Sequence, residues 1–172
     1  MKHNLKKGFL LWITGLSGSG KTSLAKKLHP KINKLLGPTI ILSGDNFRRN
    51  FDLKGYSSSE RLLYGKKYTD FLKLITDQKI NVIFAVVGLF DELRKYNRKK
   101  INNYLEIFIK ADIDKIKKSS HKKHYLNNQE NIVGIQIKPE FPKKPEVTIE
   151  NNFSKSLESI ANEAYEKIKR VI

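Results

Sequence analysis

Hydrophobic positions along the chain gather into five short runs, separated by stretches with helical spacing. The runs are FLLWIT (Phe9 to Thr14), TIILS (Thr39 to Ser43), NVIFAVV (Asn81 to Val87), YLEIFIK (Tyr104 to Lys110) and EVTIE (Glu146 to Glu150). Several are continuous rather than alternating, the pattern of parallel strands buried on both faces. Lys21 to Leu36 sets Leu24, Leu28 and Leu35 among lysines, and Ser57 to Gln78 sets Leu62, Leu63, Phe71, Leu74 and Ile75 among charges, so both predict amphipathic helices built on those residues. Asp91 to Asn103 and Phe153 to Ile172 are further helix candidates, the second carrying Leu157, Ile160, Ala161, Ala164 and Ile168 at the i, i+3/i+4 period. Strand and helix alternate, which predicts an α/β fold: a mostly parallel, doubly wound five-stranded sheet with helices on both faces. Ser119 to Pro145 breaks the alternation, being polar and closed by Pro139, Pro142 and Pro145. A loop of that length inside a compact domain is expected to be functional, here a lid.

The 172 residues are the size of one ordinary domain, so residues 1–172 are expected to form a single unit. The chain has no cysteine, which excludes disulfides, thiolate metal sites and cysteine chemistry. The basic segment Met1 to Gly8 leads only into the short run Phe9 to Thr14, and no segment approaches the roughly 20 apolar residues that span a bilayer. The expectation is a cytoplasmic protein without a membrane partner.

Charge narrows the partner. With 34 Lys+Arg against 17 Asp+Glu the formal net charge is +17, which points to an anionic ligand. The lysines are scattered in pairs such as Lys26-Lys27, Lys66-Lys67 and Lys99-Lys100, with no basic stripe interleaved with stacking aromatics. Scattered lysine is the composition of a solvated face, so no nucleic-acid partner is expected.

The chemistry begins after the first strand. Gly15, Gly20, Lys21 and Thr22 in "GLSGSGKTSLA" satisfy G-x-x-x-x-G-K-[ST], with a buried strand before and a helix after. Glycines let successive backbone N–H groups turn inward around phosphate oxygens, and the helix that follows adds its positive end. Gly15, Ser17, Gly18, Ser19, Gly20, Lys21, Thr22 and Ser23 are therefore the expected ATP-binding residues. Lys21 would reach the β and γ phosphates, and Thr22 would offer its hydroxyl to Mg²⁺.

"SGDNFRRN", Ser43 to Asn50, follows the second strand. An acidic residue at the carboxyl end of a parallel strand sits in the crevice where such sheets bind ligands. Asp45 can accept a hydroxyl proton or organise the metal's water shell, and Arg48 can hold an anionic acceptor; equally, Asp45 can be a helix N-cap. Downstream, "GYSSSER" supplies Tyr56 as a stacking face, Ser57 as a helix cap with Glu60 as its capping-box partner, and Arg61 on the first turns. His3, His29, His121 and His124 form no metal-ligand spacing with nearby carboxylates.

Taken together, "GFLLWITGLSGSGKTSLA", "LSGDNFRR", "GYSSSER" and "VGIQIKPEFPKKPEVTI" resemble, in order and spacing, the adenylylsulfate (APS) kinase family. The resemblance implies a P-loop kinase fold and transfer of the ATP γ-phosphate to the 3′-hydroxyl of a nucleotide carrying a 5′-phosphosulfate. It also implies Asp45 at the reacting hydroxyl, Arg48 and Arg61 on the acceptor, a lid carrying Lys122 and Tyr125, and a homodimer in many members. The family's N-terminal extension is missing, so the expectation of a homodimer does not carry the family's arm exchange with it.

Departures concentrate on the acceptor side. Ile132 replaces the family's adenine-stacking aromatic, Val133 the following Thr, and Val86-Val87-Gly88-Leu89 its "FISP"; Phe90 and Arg94 persist. Tyr64 stands where an asparagine is expected, and Ser119 where the lid has Arg, leaving Lys117, Lys118 or Lys122 to meet ATP. Donor and transfer residues are kept while base-recognition residues change, as expected where the reaction stays and the acceptor nucleotide differs. An Ile wall with Tyr64 added would narrow the pocket toward a smaller pyrimidine base. The expected acceptor-binding set is Asp45, Arg48, Tyr56, Arg61, Tyr64, Phe90 and Ile132. Drift within an ordinary APS kinase is the competing reading. A P-loop regulatory switch lacks the N-K-x-D run for guanine, and a nucleic-acid-binding protein would explain only the charge.

Overall fold

The computed structural model describes residues 7–118 and 131–172. Five strands form one parallel sheet: β1 (Leu10–Thr14), β2 (Thr39–Ser43), β3 (Asn81–Ala85), β4 (Tyr104–Lys110) and β5 (Val147–Glu150), in the order β2-β3-β1-β4-β5. Six helices intervene: α1 (Lys21–Leu36), α2 (Gly44–Asn50), α3 (Ser58–Asp77), α4 (Asp91–Lys100), α5 (Ile113–Lys118) and α6 (Leu157–Lys169). Every residue of the central strand β1 and of β3 beside it is buried, which is why those runs read as continuously apolar. The edge strands β2 and β5 keep exposed positions.

The pleat divides the core. Leu11 and Ile13 pack with Leu24, Leu28 and Ile32 of α1 and with Ile160, Ala161, Ala164 and Ile168 of α6. Leu10 and Trp12 point to the other face, against Phe47 of α2, Tyr68 and Leu72 of α3, and Leu93 of α4. Alternate residues of one strand thus serve two helix layers.

Several expectations need correction. In α1, Leu35 is 39% exposed and Ile32 takes the core position. In α3, Leu63, Phe71 and Leu74 face solvent, and the buried stripe is Gly65, Tyr68, Thr69, Leu72 and Thr76. Two polar members of that stripe are tolerated because they are paired: Thr69 Oγ1 donates to Asn97 Oδ1 at 2.6 Å and Thr76 Oγ1 to the Lys73 carbonyl at 3.1 Å. Helix α4 stops at Lys100, before Asn103, because Ile101 turns extended. Helix α6 starts at Leu157, after Ser156 caps it, while Phe153 lies in a preceding turn held by Asn151 Oδ1. Helices α2 and α5 are short elements beyond those expected.

Candidate active site

Because all five strands run parallel, their carboxyl ends share one side of the sheet, and β1 lies between β3 and β4, where the connections change direction. The crevice at such a switch point is where ligands bind in open α/β sheets. A cavity of about 880 Å³ opens there.

Its donor end is the loop between β1 and α1. Gly15 has φ +151°, and a Cβ there would stand 2.6 Å from the Ile109 carbonyl oxygen of β4, so the loop's start admits only glycine. Gly20, at φ +98°, is the N-cap of α1 and carries no capping side chain, leaving the first N–H groups of the helix to an outside anion. Lys21 Nζ donates to the Leu16 carbonyl at 2.6 Å, which folds the ammonium back over its own loop. Ser17, Gly18, Gly20, Lys21, Thr22 and Ser23 border the cavity; Gly15 and Ser19 shape the loop without bordering it. Ser19 is fully buried, and its carbonyl accepts from Asn151 Nδ2 at 3.0 Å. Asn151 follows β5, and its backbone N–H donates to the Lys110 carbonyl of β4 at 2.9 Å. One asparagine therefore ties the phosphate loop to two strand ends. Gly15→Ala is expected to raise the KM for ATP at least ten-fold and to lower the melting temperature, since the loop must move away from Ile109; unchanged ATP kinetics would contradict this.

The other end is built by α2 and α3. Ser43, not Asp45, caps α2: its hydroxyl accepts from Asn46 N at 3.2 Å. Asp45 lies in the first turn, bordering the cavity, with its carboxylate spared the capping duty. At α3, Ser57 Oγ accepts from Glu60 N at 3.3 Å while Glu60 Oε2 accepts from Ser57 N at 3.0 Å, completing the expected capping box. Hydrogen bonds from the Ser57 hydroxyl and amide hold the Glu60 carboxyl below its usual pKa.

This cap presents two arginines. Arg48 Nη1 donates to the carbonyls of Leu53 (3.1 Å) and Gly55 (2.7 Å). Its guanidinium stands 4.1 Å from the Tyr56 ring centroid and 5.4 Å from that of Tyr64. Arg61 Nε donates to the Tyr56 carbonyl at 2.8 Å and Nη2 to the Asn131 carbonyl at 2.9 Å, with its guanidinium 5.1 Å from the same Tyr56 ring. Burial and the neighbouring Arg48 cation push the Arg61 pKa below its usual value. Two cations clustered on one ring and fixed by neutral carbonyls form a receptor for an anion.

Asp45, Arg48, Tyr56, Arg61, Phe90 and Ile132 all border the cavity. Tyr64 does not: it backs Arg48 instead, so it cannot narrow the pocket directly. Arg94 is likewise withdrawn, buried in an ion cluster with Asp91 and Glu106. Ser119, Lys122 and Tyr125 lie outside the described residues. Tyr68, Gly44, Phe153, Lys155 and Leu157 border the cavity and were not anticipated. For the last three a signal existed, since they follow the carboxyl end of a parallel strand. No helix among the described residues is long and apolar enough to cross a membrane.

Fold and site together define a P-loop phosphotransferase: a phosphate-cradling loop and a cationic pocket that border one cavity. Residues 7–150 match the adenylylsulphate kinase family, and the chain belongs to that family. It is 33% identical over 176 residues to a cytidine diphosphoramidate kinase of Campylobacter jejuni, covering 100% of this chain and 97% of that protein. It is 35% identical over 152 residues to an adenylyl-sulfate kinase of Clostridium acetobutylicum, covering 84% of this chain and 76% of that protein. Among solved structures, the Mycobacterium tuberculosis APS kinase in complex with AMPPNP and APS superposes with a TM-score of 0.83 at 25% identity, covering 95% of this chain and 98% of that one. Shikimate kinase of Aquifex aeolicus, at 16% identity and TM-score 0.59, shares the fold alone.

Proposed function

We propose that this kinase transfers the γ-phosphate of ATP to the ribose 3′-hydroxyl of cytidine diphosphoramidate, a nucleotide whose 5′ tail resembles a diphosphate. The observation that carries the acceptor is the asymmetric clamp. The Tyr56 ring is in contact with two guanidiniums, and Ile132 and Val133 border the same cavity where the family has a stacking aromatic and a threonine. A cavity with one fewer stacking ring than the family's suits a small pyrimidine better than adenine. The end-to-end match with a protein named cytidine diphosphoramidate kinase supports the same reading.

In the transfer, the 3′-oxygen attacks the γ-phosphorus in line, the bond to the β–γ bridging oxygen breaks, and ADP leaves. Asp45 orients the hydroxyl and takes its proton; Arg48 and Arg61 hold the tail. The N–H groups of Gly18 to Thr22 and the Lys21 ammonium neutralise charge as it builds on the leaving phosphate. The Thr22 hydroxyl is a hard oxygen ligand beside the phosphate site and fits Mg²⁺. No group of three or more His, Asp or Glu among the described residues could hold a metal alone, so the ion would enter with the nucleotide. Bound there, Mg²⁺ supplies positive charge to the phosphate oxygens.

The test is ADP release from Mg-ATP with cytidine diphosphoramidate and with APS in parallel, the new phosphate being located by ³¹P NMR. A kcat/KM at least ten-fold higher for the cytidine compound, with a 3′-phosphate in the product, is expected. Preference for APS would overturn the acceptor assignment and make the Ile132 wall drift within an ordinary APS kinase.

A further inference from the structure

Tyr68 lies on α3 one turn beyond Tyr64, is 4% exposed, and packs its ring 4.8 Å from Phe47 and 5.8 Å from Phe84 between centroids. The residue still borders the cavity beside Gly44, Asp45, Arg48 and Gly65. Its hydroxyl is buried and makes no hydrogen bond among the described residues. The contrast is Tyr104, equally buried, whose hydroxyl accepts from Asn97 Nδ2 at 3.4 Å. A buried hydroxyl without a partner only destabilises the free protein, so its presence at a ligand cavity calls for a ligand. The field around it says which part of a ligand. Burial pushes the phenol pKa up, Arg48 opposes that rise, and the Asp45 carboxylate adds to it. The hydroxyl therefore lies in the same field as the cationic pocket, and Tyr68 borders the cavity together with Asp45 and Arg48.

We propose that Tyr68 is a specificity-determining residue whose hydroxyl hydrogen-bonds the terminal tetrahedral group of the acceptor's 5′ tail, the group that Arg48 and Arg61 hold by charge. This rests on the acceptor reading above. A phenol both donates and accepts. Toward a terminal sulfate it can only donate to oxygen; toward a phosphoramidate it can donate to oxygen and accept from the P–NH₂ group. Tyr68 thus gives the amide nitrogen a partner that an arginine, which carries donors alone, cannot.

Tyr68→Phe removes one atom and keeps the ring. The melting temperature of the ligand-free variant should equal or exceed that of the wild type, and the KM for ATP should be unchanged. Its kcat/KM for the acceptor should fall about ten-fold or more, the loss of one hydrogen bond to a charged group, and further with cytidine diphosphoramidate than with APS. Equal acceptor kinetics in both proteins would remove Tyr68 from recognition while the proposed function stands. If the wild type turns over neither acceptor, the proposed function fails, and titration with cytidine 5′-diphosphate and cytidine 5′-monophosphate judges Tyr68 separately. A wild-type preference for the diphosphate that the variant lacks would support the role; the same ratio in both, or binding in neither, would overturn it.

Discussion

Asp45→Asn is expected to lower kcat by about 10²- to 10⁴-fold, the range lost when a positioned general base is removed, with ATP affinity within about two-fold of wild type. Because Ser43 carries the cap of α2, Asp45 is not needed to hold the helix, and the amide is nearly the carboxylate's size. What is lost is the charge proposed to receive the hydroxyl proton, together with a favourable charge in the helix's first turn, worth about 0.3–1 kcal/mol. The phosphate loop lies on β1 and α1, so the donor site is built by other elements. Turnover should be measured beside equilibrium binding of a non-hydrolysable ATP analogue. Activity within a few-fold of wild type would exclude Asp45 from the transfer; equal loss of nucleotide binding would mean that it holds the donor instead.

Glu106→Ala is expected to destabilise the fold by about 3–5 kcal/mol, the cost of leaving a buried charge without its partner. Glu106 is 2% exposed on β4. Its Oε2 accepts from Arg98 Nη2 at 3.2 Å, and Oε1 stands 3.8 Å from Arg94 Nε. Glu146 completes the cluster, accepting from Arg98 Nη1 at 2.6 Å and from the Glu106 backbone N–H at 2.8 Å. Removing the carboxylate leaves Arg94, whose side chain is 8% exposed, with Asp91 as its remaining ion pair among the described residues. The cluster anchors α4 to β4, and Phe90, the N-cap of α4, borders the cavity, so acceptor KM should rise as well. Glu106→Gln keeps hydrogen-bonding atoms and should lose less.

The pH signs within the cluster oppose each other. Burial pushes the Glu106 carboxyl above its usual pKa, so its ionisation weakens the fold at neutral pH, and that cost fades as pH falls through its folded pKa. Burial alone would raise Glu146 too, but the Arg98 hydrogen bonds prevail and hold it low; its contribution is present above the unfolded value and lost on acidification. Urea midpoints of both variants against wild type, from pH 4 to 8, measure these effects. A loss below about 1 kcal/mol in Glu106→Ala would show the cluster to be dispensable.

Legibility in the sequence followed how local the cause is. The strands TIILS and YLEIFIK and the helix Lys21–Leu36 have the bounds their patterns predict, because burial on both faces and a glycine at each end of α1 act within a few residues. The phosphate loop was legible for the same reason: its glycines, lysine and threonine lie within eight positions of one turn. The capping box at Ser57 is four adjacent residues, and it formed as read.

Helix α3 shows where the pattern misleads. Counting apolar residues selects Leu62, Leu63, Phe71, Leu74 and Ile75; Leu62 and Ile75 do pack against the core, but Leu63, Phe71 and Leu74 face solvent while the helix buries Gly65, Thr69 and Thr76. Gly65 lets α3 approach Leu93 of α4, where a Cβ would stand 2.5 Å from Leu93 Cδ2, and Asn97 on that helix satisfies Thr69. Neither partner can be inferred from α3 itself. Tyr64 behind Arg48, Arg94 in the ion cluster, Asn151 on the phosphate loop and the Tyr68 hydroxyl, unpartnered among the described residues, share that dependence. Sequence alone determined the strand and helix alternation, the phosphate-binding turn and its family, since these rest on periodicity and on backbone freedom at fixed glycines. Tertiary structure alone decided which face of α3 is inside and which polar side chains meet at the cavity, because both are settled by residues far apart in the chain that only the folded sheet brings within hydrogen-bond reach.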